Sequence, residues 1–254
     1  MIWEQQSRVI IQATDLIENG SEKCAEYLPP SVTLDNHTTF GDFQVTLKNR
    51  EVKEKYAIST LILKNTLKDA SRELTHYWYK WPETGVPNEE APIIAMLLEA
   101  RSSLKSYAIE QANELKGKSS TATLRSEANG IVGNGIDELK DVSNISGSST
   151  GTNSSNGEIN GNITTDKFKV TTNKHQGPLT VHCSPGTGRT GTIISCDVAI
   201  RSLETPKRIV DIPQIVYYIR RGRASAVQTK EQYEFIYKVA NMYATKITNL
   251  SNDN

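Results

Sequence analysis

The sequence predicts an α/β fold in which a twisted mixed β-sheet is flanked by helices on both sides. Several stretches show the alternating or apolar character of strands, and others repeat apolar residues at helical spacing. A glycine-rich turn also joins an apolar run to a helical stretch, as expected between a strand of such a sheet and a helix packed on it. Together these observations predict one domain of mixed elements.

The predicted strands lie mostly in the first half of the chain. Their sequences cover Arg8–Ala13, Phe40–Leu47, Tyr56–Leu63, Leu74–Trp81 and Pro178–Val181. A turn is expected at Glu18–Gly20, after the first strand.

Three helices are predicted from the spacing of apolar residues. Pro92–Asn113 repeats such residues on one face, as does the stretch that follows Gly191. The last helix is expected over Thr229–Thr245, where Thr229 and Gln232 have the spacing of a capping box.

Residues 117–166 differ from the rest of the chain in composition. They contain 8 Gly, 9 Ser and 7 Asn, and no aromatic residue. Such a stretch buries too little apolar surface to offset the entropy of ordering it, so we expect a flexible surface insertion. The predicted organisation is a single domain formed by residues 1–116 and 167–246, interrupted by this insertion and followed by a tail at 247–254.

Composition argues against several classes of partner. Lysine plus arginine and aspartate plus glutamate number 29 each, so no global positive charge favours nucleic acid or an anionic membrane surface. No apolar run reaches the length of a membrane span. The three cysteines have neither a disulfide pattern nor a metal-ligand spacing, so we expect no metal and no cofactor, in a reducing, cytoplasmic compartment.

The segment Val181–Gly191 contains the residues most indicative of a reaction, a cysteine and an arginine in a glycine-rich turn. We call its residues 183–189 the cysteine loop. A glycine-rich turn at a helix N-terminus presents free backbone N–H groups and the positive end of the helix dipole, which together bind anions. The same field stabilises a thiolate at Cys183, and Arg189 has the geometry to hold two phosphate oxygens at once. A thiolate beside a phosphate-binding arginine predicts a nucleophile that attacks phosphorus.

Two other interpretations fit this segment less well. Gly186-x-Gly188-x-x-Gly191 after a strand also matches a dinucleotide-binding turn, with Asp211 as the acidic residue further on. That turn has no use for Cys183, and the preceding segments do not alternate strand and helix. Binding of NAD(H) rather than vanadate would favour the dinucleotide-binding interpretation. A buried, inert cysteine, the other interpretation, leaves Arg189 and the glycines unexplained.

Residues Val181–Gly191 resemble the signature loop of the protein tyrosine phosphatases. Within that family, the chain resembles the receptor-type members. Other segments match that family in order and spacing; they are Met1–Gln5, Lys23–Pro29, Trp81–Pro87, Arg220–Arg223 and Val227–Tyr233. The resemblance implies hydrolysis of phosphotyrosine in proteins through a cysteinyl-phosphate intermediate. It also implies a catalytic domain in the cytosol, joined to a membrane only through a possible span outside this sequence.

The resemblance implies a role for each catalytic residue. Cys183 is the nucleophile, Glu83 is the general acid, and Gln228 positions the attacking water with help from Gln232. Thr190 stabilises the departing thiolate. The phosphate is held by Arg189 and by the other loop residues, which are Ser184, Pro185, Gly186, Thr187 and Gly188.

Four further residues are expected to support the site. Glu18 resembles the carboxylate that pairs with the signature arginine, and Lys23 resembles a residue that holds the Glu83 loop closed; both fit equally well as exposed turn charges. Trp81 is expected to pack in the core and act as a hinge for the loop. His182 is expected to be an orienting or core residue rather than a metal ligand.

Three features depart from the family pattern. Met1 corresponds to a point inside the family's domain, so the preceding part, with the loop that stacks on the phosphotyrosine ring, is expected to be missing. Glu83 stands where active members usually carry Asp, and residues 117–166 replace a short connection. The first two of these features favour an alternative: a weakly active or inactive phosphatase-like regulatory domain that binds phosphotyrosine or partners.

Overall fold

The computed structural model describes residues 1–126 and 177–252. Residues 1–112 and 174–254 form one compact unit, and residues 113–173 form a second. The elements below belong to the first unit, apart from the C-terminal end of the first helix. Of the predicted insertion, residues 117–126 are helical and the remainder lies outside the described residues, so the insertion stays a prediction.

Within the described residues, the β-structure consists of a six-stranded mixed sheet and a two-stranded hairpin. The strands are β1 (Val9–Gln12), β2 (Ile17–Glu18), β3 (Ser21–Glu22), β4 (His37–Phe40), β5 (Phe43–Val52), β6 (Tyr56–Asn65), β7 (Ala70–Tyr79) and β8 (Leu179–His182). The sheet has the order β4-β5-β6-β7-β1-β8, and β2 pairs with β3 in the hairpin. Asn19 and Gly20 both have positive φ, as the tight turn of this hairpin requires.

Three neighbouring strands of the sheet run parallel. β1 pairs in parallel with β7 and with β8, so that Gln12 lies opposite both Trp78 and His182. Antiparallel pairs join β4 through β7. Because parallel strands end at the same edge of a sheet, the segments that follow β1, β7 and β8 leave the sheet side by side.

The described residues contain four helices, named α1 (Ala91–Ser126), α2 (Gly188–Leu203), α3 (Ile212–Gly222) and α4 (Lys230–Asn252). Asp211 caps α3 by accepting the Gln214 N–H at 2.9 Å. Thr229 Oγ1 accepts the Gln232 N–H at 3.2 Å, which confirms the predicted cap of the last helix. None of the helices within the described residues has a stretch that is both long and apolar enough to span a membrane.

The main apolar core lies on one face of the sheet. Strand residues such as Val9, Ile11 and Tyr77 pack there with buried residues from all four helices. The helical members include Ile93, Leu97, Ile193, Ile200, Val216, Phe235 and Ile236. Each such side chain contributes about 1.5–3 kcal/mol on burial, so this core fixes where β8 ends and α2 begins.

A second, smaller apolar core on the sheet is covered by residues from the N-terminal part of the chain rather than by helices. It is formed by Ile10, Leu28, Leu47, Leu61, Leu63 and Leu74, with Ile2, Trp3 and Tyr27 packed against it. Within the described residues no helix contributes to this core, so a second helical layer is absent from that part of the chain. The predicted α/β class with a mixed sheet flanked by helices is confirmed, but the expectation of helices on both sides is not met within the described residues, where the four helices pack on the main core alone.

Some element boundaries differ from the predicted ones. The predicted strand Phe40–Leu47 contains the turn of a hairpin, because β4 ends at Phe40 and β5 begins at Phe43. The sequence analysis did not predict α3, although its apolar residues Ile212, Ile215, Val216 and Ile219 recur at the spacing of one helical face. Helix α4 continues through most of the predicted tail at 247–254.

Candidate active site

The cysteine loop joins β8 to α2 at the edge where the parallel strands end. Cys183 follows β8 directly and is buried, and α2 begins at Gly188, so the loop lies at a helix N-terminus. Gly186 has a φ of 70°, the left-handed conformation that favours glycine. This backbone is suited to holding an anion beside the sulfur.

Thr190 provides a direct partner for the sulfur. Its Oγ1 donates a hydrogen bond to Cys183 Sγ at 3.2 Å, from the first turn of α2. Both side chains are buried. A hydrogen-bond donor thus lies directly on the sulfur, at the residue for which the family resemblance implies stabilisation of the departing thiolate.

Arg189 is held by Glu18 at the end of β2. Nη1 and Nη2 donate to the two Glu18 carboxylate oxygens at 2.5 and 2.8 Å, and Nη1 also donates to Ala13 O at 3.1 Å. The hydrogen bonds from Arg189 lower the pKa of Glu18, aided by the Asp15 N–H and the Thr14 hydroxyl and opposed by burial. The structure thus brings the predicted pair together, and the bidentate geometry fixes the guanidinium plane.

Glu83 reaches the site from residues 81–87 after β7, which we call the Glu83 loop. Its backbone O accepts a hydrogen bond from Arg189 Nη2 at 3.2 Å, and its carboxylate Oε1 accepts the Asn19 N–H at 3.1 Å. Trp81 is buried in the core, and its Nε1 donates to Gly85 O at 3.1 Å. The loop therefore rests on Arg189, with its carboxylate bound to the β2–β3 turn.

Gln228 and Gln232 reach the cleft from the start of α4. A Cβ atom at Gly188 would lie 2.6 Å from Gln228 Oε1 and 2.9 Å from Gln232 Nε2, so glycine is what lets them approach the loop. Val227 has a φ of 59°, which is strained for a β-branched residue. Arg220 donates to Val227 O at 2.7 Å and supports this strained segment.

These side chains line one cleft of about 510 Å³. The predicted site residues in its wall are Glu18, Lys23, Glu83, Cys183, Ser184, Pro185, Gly188, Arg189, Gln228 and Gln232. Lys23 makes no ion pair with Glu83 within the described residues. Nor do those residues contain a group of three or more His, Cys, Asp or Glu side chains placed to bind a metal. The cleft combines a cysteine sulfur, a fixed guanidinium and a carboxylate.

Comparison with known proteins identifies the family. Residues 1–119 and 158–242 match the sequence profile described as protein-tyrosine phosphatase, which covers well over half of the chain. The chain belongs to the protein-tyrosine phosphatase family. The match includes the cysteine loop, the Glu83 loop and both glutamines.

Individual tyrosine phosphatases are similar along nearly the whole chain. Receptor-type tyrosine-protein phosphatase alpha of Homo sapiens is 27% identical over 253 residues, which are 99% of this chain and 23% of the relative. Tyrosine-protein phosphatase non-receptor type 9 of Homo sapiens is 30% identical over 247 residues, 97% of this chain and 32% of the relative. The chain thus spans about a quarter to a third of the length of these relatives.

This member of the tyrosine phosphatase family also has a buried polar cluster that the sequence analysis did not single out. Tyr27 Oη lies 2.7 Å from His182 Nε2 and 2.8 Å from His76 Nε2, and it donates to Gln12 Oε1 at 2.9 Å. Burial lowers the pKa of His182 and lowers that of His76 to about 3, so both rings are neutral at pH 7. The available signal was a polar side chain, Gln12, in the otherwise apolar strand β1.

Proposed function

We propose that this chain is a protein tyrosine phosphatase that hydrolyses phosphotyrosine in proteins through a cysteinyl-phosphate intermediate. We base this above all on the contact of Thr190 Oγ1 with Cys183 Sγ, in a loop whose Arg189 is fixed by Glu18. A nucleophile and oxyanion-binding groups then face one cleft. Membership of the family supports the same reaction.

In the first step the Cys183 thiolate attacks phosphorus in line with the leaving oxygen. The S–P bond forms as the P–O bond to the tyrosine ring breaks, while Arg189 and the N–H groups of residues 184–189 bind the equatorial oxygens. Glu83 gives its proton to the leaving oxygen, so the tyrosine departs as a neutral phenol.

In the second step water attacks the phosphorus of the cysteinyl-phosphate. Gln228 and Gln232 position the water, and the Glu83 carboxylate takes its proton as the new P–O bond forms. The S–P bond breaks with its electron pair on sulfur. Thr190 donates its hydrogen bond to the thiolate that is released, which restores the starting state.

The test uses the full chain, its Cys183→Ser variant and Cys24→Ser as a matched control. We expect the unmodified chain to release phosphate from an aryl phosphate and a phosphotyrosyl peptide, and to form a phosphoenzyme on cysteine that rapid denaturation traps. Cys183→Ser should lose both and still bind vanadate, because the loop and Arg189 remain. Turnover that survives Cys183→Ser, or falls equally in Cys24→Ser, would refute the proposal.

A second candidate function rests on the position of the Glu83 carboxylate. It is bound to the Asn19 N–H, and Glu is one methylene longer than the Asp usual in active family members. A weakly active or inactive regulatory domain that binds phosphotyrosine would keep the oxyanion site and lack proton transfer. Binding of a phosphotyrosyl peptide with turnover no higher than that of Cys183→Ser would favour this function.

We also propose a cytoplasmic location and phosphotyrosine-containing proteins as partners. The three cysteines are free, and a thiolate nucleophile needs a reducing compartment. Fractionation of the natural host cells, followed by detection of the chain, tests the location independently of the activity.

A further inference from the structure

The backbone N–H groups of the cysteine loop have no partner among the described residues. The Gly191 N–H is the first to turn back on this region, and it donates to Thr187 O at 2.8 Å. No described residue accepts the N–H groups that residues 184–190 carry, and the Thr187 hydroxyl does not cap the first turn of α2. Free N–H groups at a helix N-terminus bind anions. These groups are therefore available to the oxygens of a bound phosphate.

One residue of the loop has no N–H to offer. The backbone nitrogen of Pro185 is closed into the pyrrolidine ring and carries no proton. Residues 184–189 are six positions, and without Pro185 they carry five N–H groups. Pro185 forms part of the cleft wall, as do Ser184, Gly188 and Arg189. A ring without a donor is thus part of the surface that meets the ligand.

Pro185 also contributes to the shape of the loop. It precedes Gly186, whose φ of 70° is the value that a type II turn requires at its second central residue. Proline followed by glycine is the residue order that such a turn favours. Because the ring fixes φ in the unfolded chain as well, proline at a compatible position stabilises the fold. The same residue thus stabilises the turn and removes a hydrogen-bond donor from the cleft.

We propose that Pro185 limits the strength with which the cysteine loop binds an oxyanion. The loop offers five N–H groups and the Arg189 guanidinium, and any residue other than proline at position 185 adds a sixth N–H. Loss of one oxyanion donor commonly slows an enzyme by roughly a hundredfold; since several donors share the charge here, the missing one should cost about tenfold in affinity and in rate. The effect on rate rests on the proposed phosphatase function, whereas the effect on anion affinity does not.

The test compares the full chain with its Pro185→Ala variant, with vanadate as the probe and ¹H–¹⁵N NMR as the readout. Vanadate should shift the proton of the newly introduced N–H downfield, together with the N–H protons of Ser184 and Gly186. The dissociation constant for vanadate should fall about tenfold. Pro213→Ala is the matched control, because Pro213 is exposed in the first turn of α3 and is not part of the cleft wall. It should leave the dissociation constant unaltered.

Stability and turnover give the second pair of measurements. Pro185→Ala should lower the free energy of unfolding, because the unfolded chain gains conformational freedom. The kcat/KM for an aryl phosphate should rise about tenfold, because the added N–H binds charge that develops on the phosphate oxygens in the transition state. The two quantities therefore move in opposite directions. If Pro185 served only to shape the turn, its replacement would lower both.

Several outcomes would overturn the proposal. An equal or weaker affinity for vanadate in folded Pro185→Ala would do so, as would no vanadate binding in either chain, or a new N–H resonance that vanadate does not move. If Pro185→Ala does not fold, Pro185→Ser supplies the same N–H and is judged by the same criteria. If neither the unmodified chain nor a folded variant turns over an aryl phosphate, the proposed function fails, while the vanadate affinities still decide the role of Pro185.

Discussion

Replacing Glu18 by alanine removes the side-chain support of Arg189, the proposed phosphate-binding residue. The Glu18 carboxylate is 5% exposed and accepts two hydrogen bonds from Arg189, whose side chain is 15% exposed. Its remaining partners are the Thr14 hydroxyl and the Asp15 N–H. The substitution therefore leaves a largely buried guanidinium with two backbone carbonyls and no negative charge.

The expected loss is large because the pair is buried. Removing one partner of a buried ion pair costs about 3–5 kcal/mol, since the other charge stays without compensation. At the lower end, and for a domain of this size, the melting temperature should fall by roughly 6–12 °C. Glu18→Gln keeps an acceptor oxygen, so it should cost only about 2 kcal/mol.

The assays are chemical denaturation, aryl phosphate turnover and vanadate binding on the full chain. We expect Glu18→Ala to lower the free energy of unfolding and to weaken vanadate binding, because Arg189 is no longer held in the plane that grips two oxygens. Glu234→Ala breaks an exposed i,i+4 pair with Lys230 and should cost no more than about 0.5 kcal/mol. Equal losses in Glu18→Ala and Glu234→Ala would refute the reasoning.

The same pair predicts how stability depends on pH. The hydrogen bonds from Arg189 lower the folded-state pKa of Glu18 below its ordinary value of 4.5. The stabilisation is therefore complete well above pH 4.5 and is lost as the pH falls through the folded-state pKa. Between neutral pH and the acid transition, the unmodified chain should lose more stability than Glu18→Gln. Parallel stability curves for the two would contradict this.

Three further predictions concern other parts of the site. Thr190→Ala should slow alkylation of the nucleophile and lower turnover by about tenfold, since a hydrogen bond to a charged group contributes about 1.5–3 kcal/mol, whereas Thr190→Ser should retain both. Gly188→Ala should slow turnover without unfolding the chain, because the added Cβ meets only the flexible side chains of two glutamines. Gly191→Ala should lower the free energy of unfolding, because its Cβ would lie 2.7 Å from the Val227 backbone N. Equal free energies of unfolding for the two variants would contradict this distinction. Glu83→Asp should release the carboxyl from the Asn19 N–H and raise turnover, and rates that are identical in Glu83→Asp and Glu83→Ala would mean that this carboxyl is not the acid.

The fold was predictable where periodicity and caps are strong. The strand at Tyr56–Leu63 and the cap at Thr229 were predicted because alternation and the capping box are local signals. The order of the strands was not predictable, since pairing of β1 with β7 and β8 joins segments far apart in sequence. Helix α3 was not predicted, although Ile212, Ile215, Val216 and Ile219 recur at helical spacing; it is the shortest of the four described helices.

The site shows the same division between local and distant signals. The cysteine loop was predictable from one continuous segment, because its glycines, cysteine and arginine act through neighbouring backbone. The contact of Glu18 with Arg189 joins residues 171 positions apart, and only the family resemblance pointed to it. Tyr27 lies in the family-like segment Lys23–Pro29, but neither that resemblance nor a local signal predicted its contact with His76. Their meeting depends on the strand register, which composition does not reveal.

The described contacts divide the site into a fixed part and a part that is held more weakly. Arg189 is tied to Glu18 and to the end of β1, and Cys183 lies between a paired strand and the first turn of α2. The Glu83 loop rests on this frame through single hydrogen bonds to Arg189 and Asn19, and Glu83 itself is exposed. In the proposed reaction, oxyanion binding depends on the frame, while proton transfer depends on the loop. Under that proposal a change at Glu83 can abolish turnover and leave the affinity for phosphotyrosine, so binding and turnover have to be measured separately to assign the function.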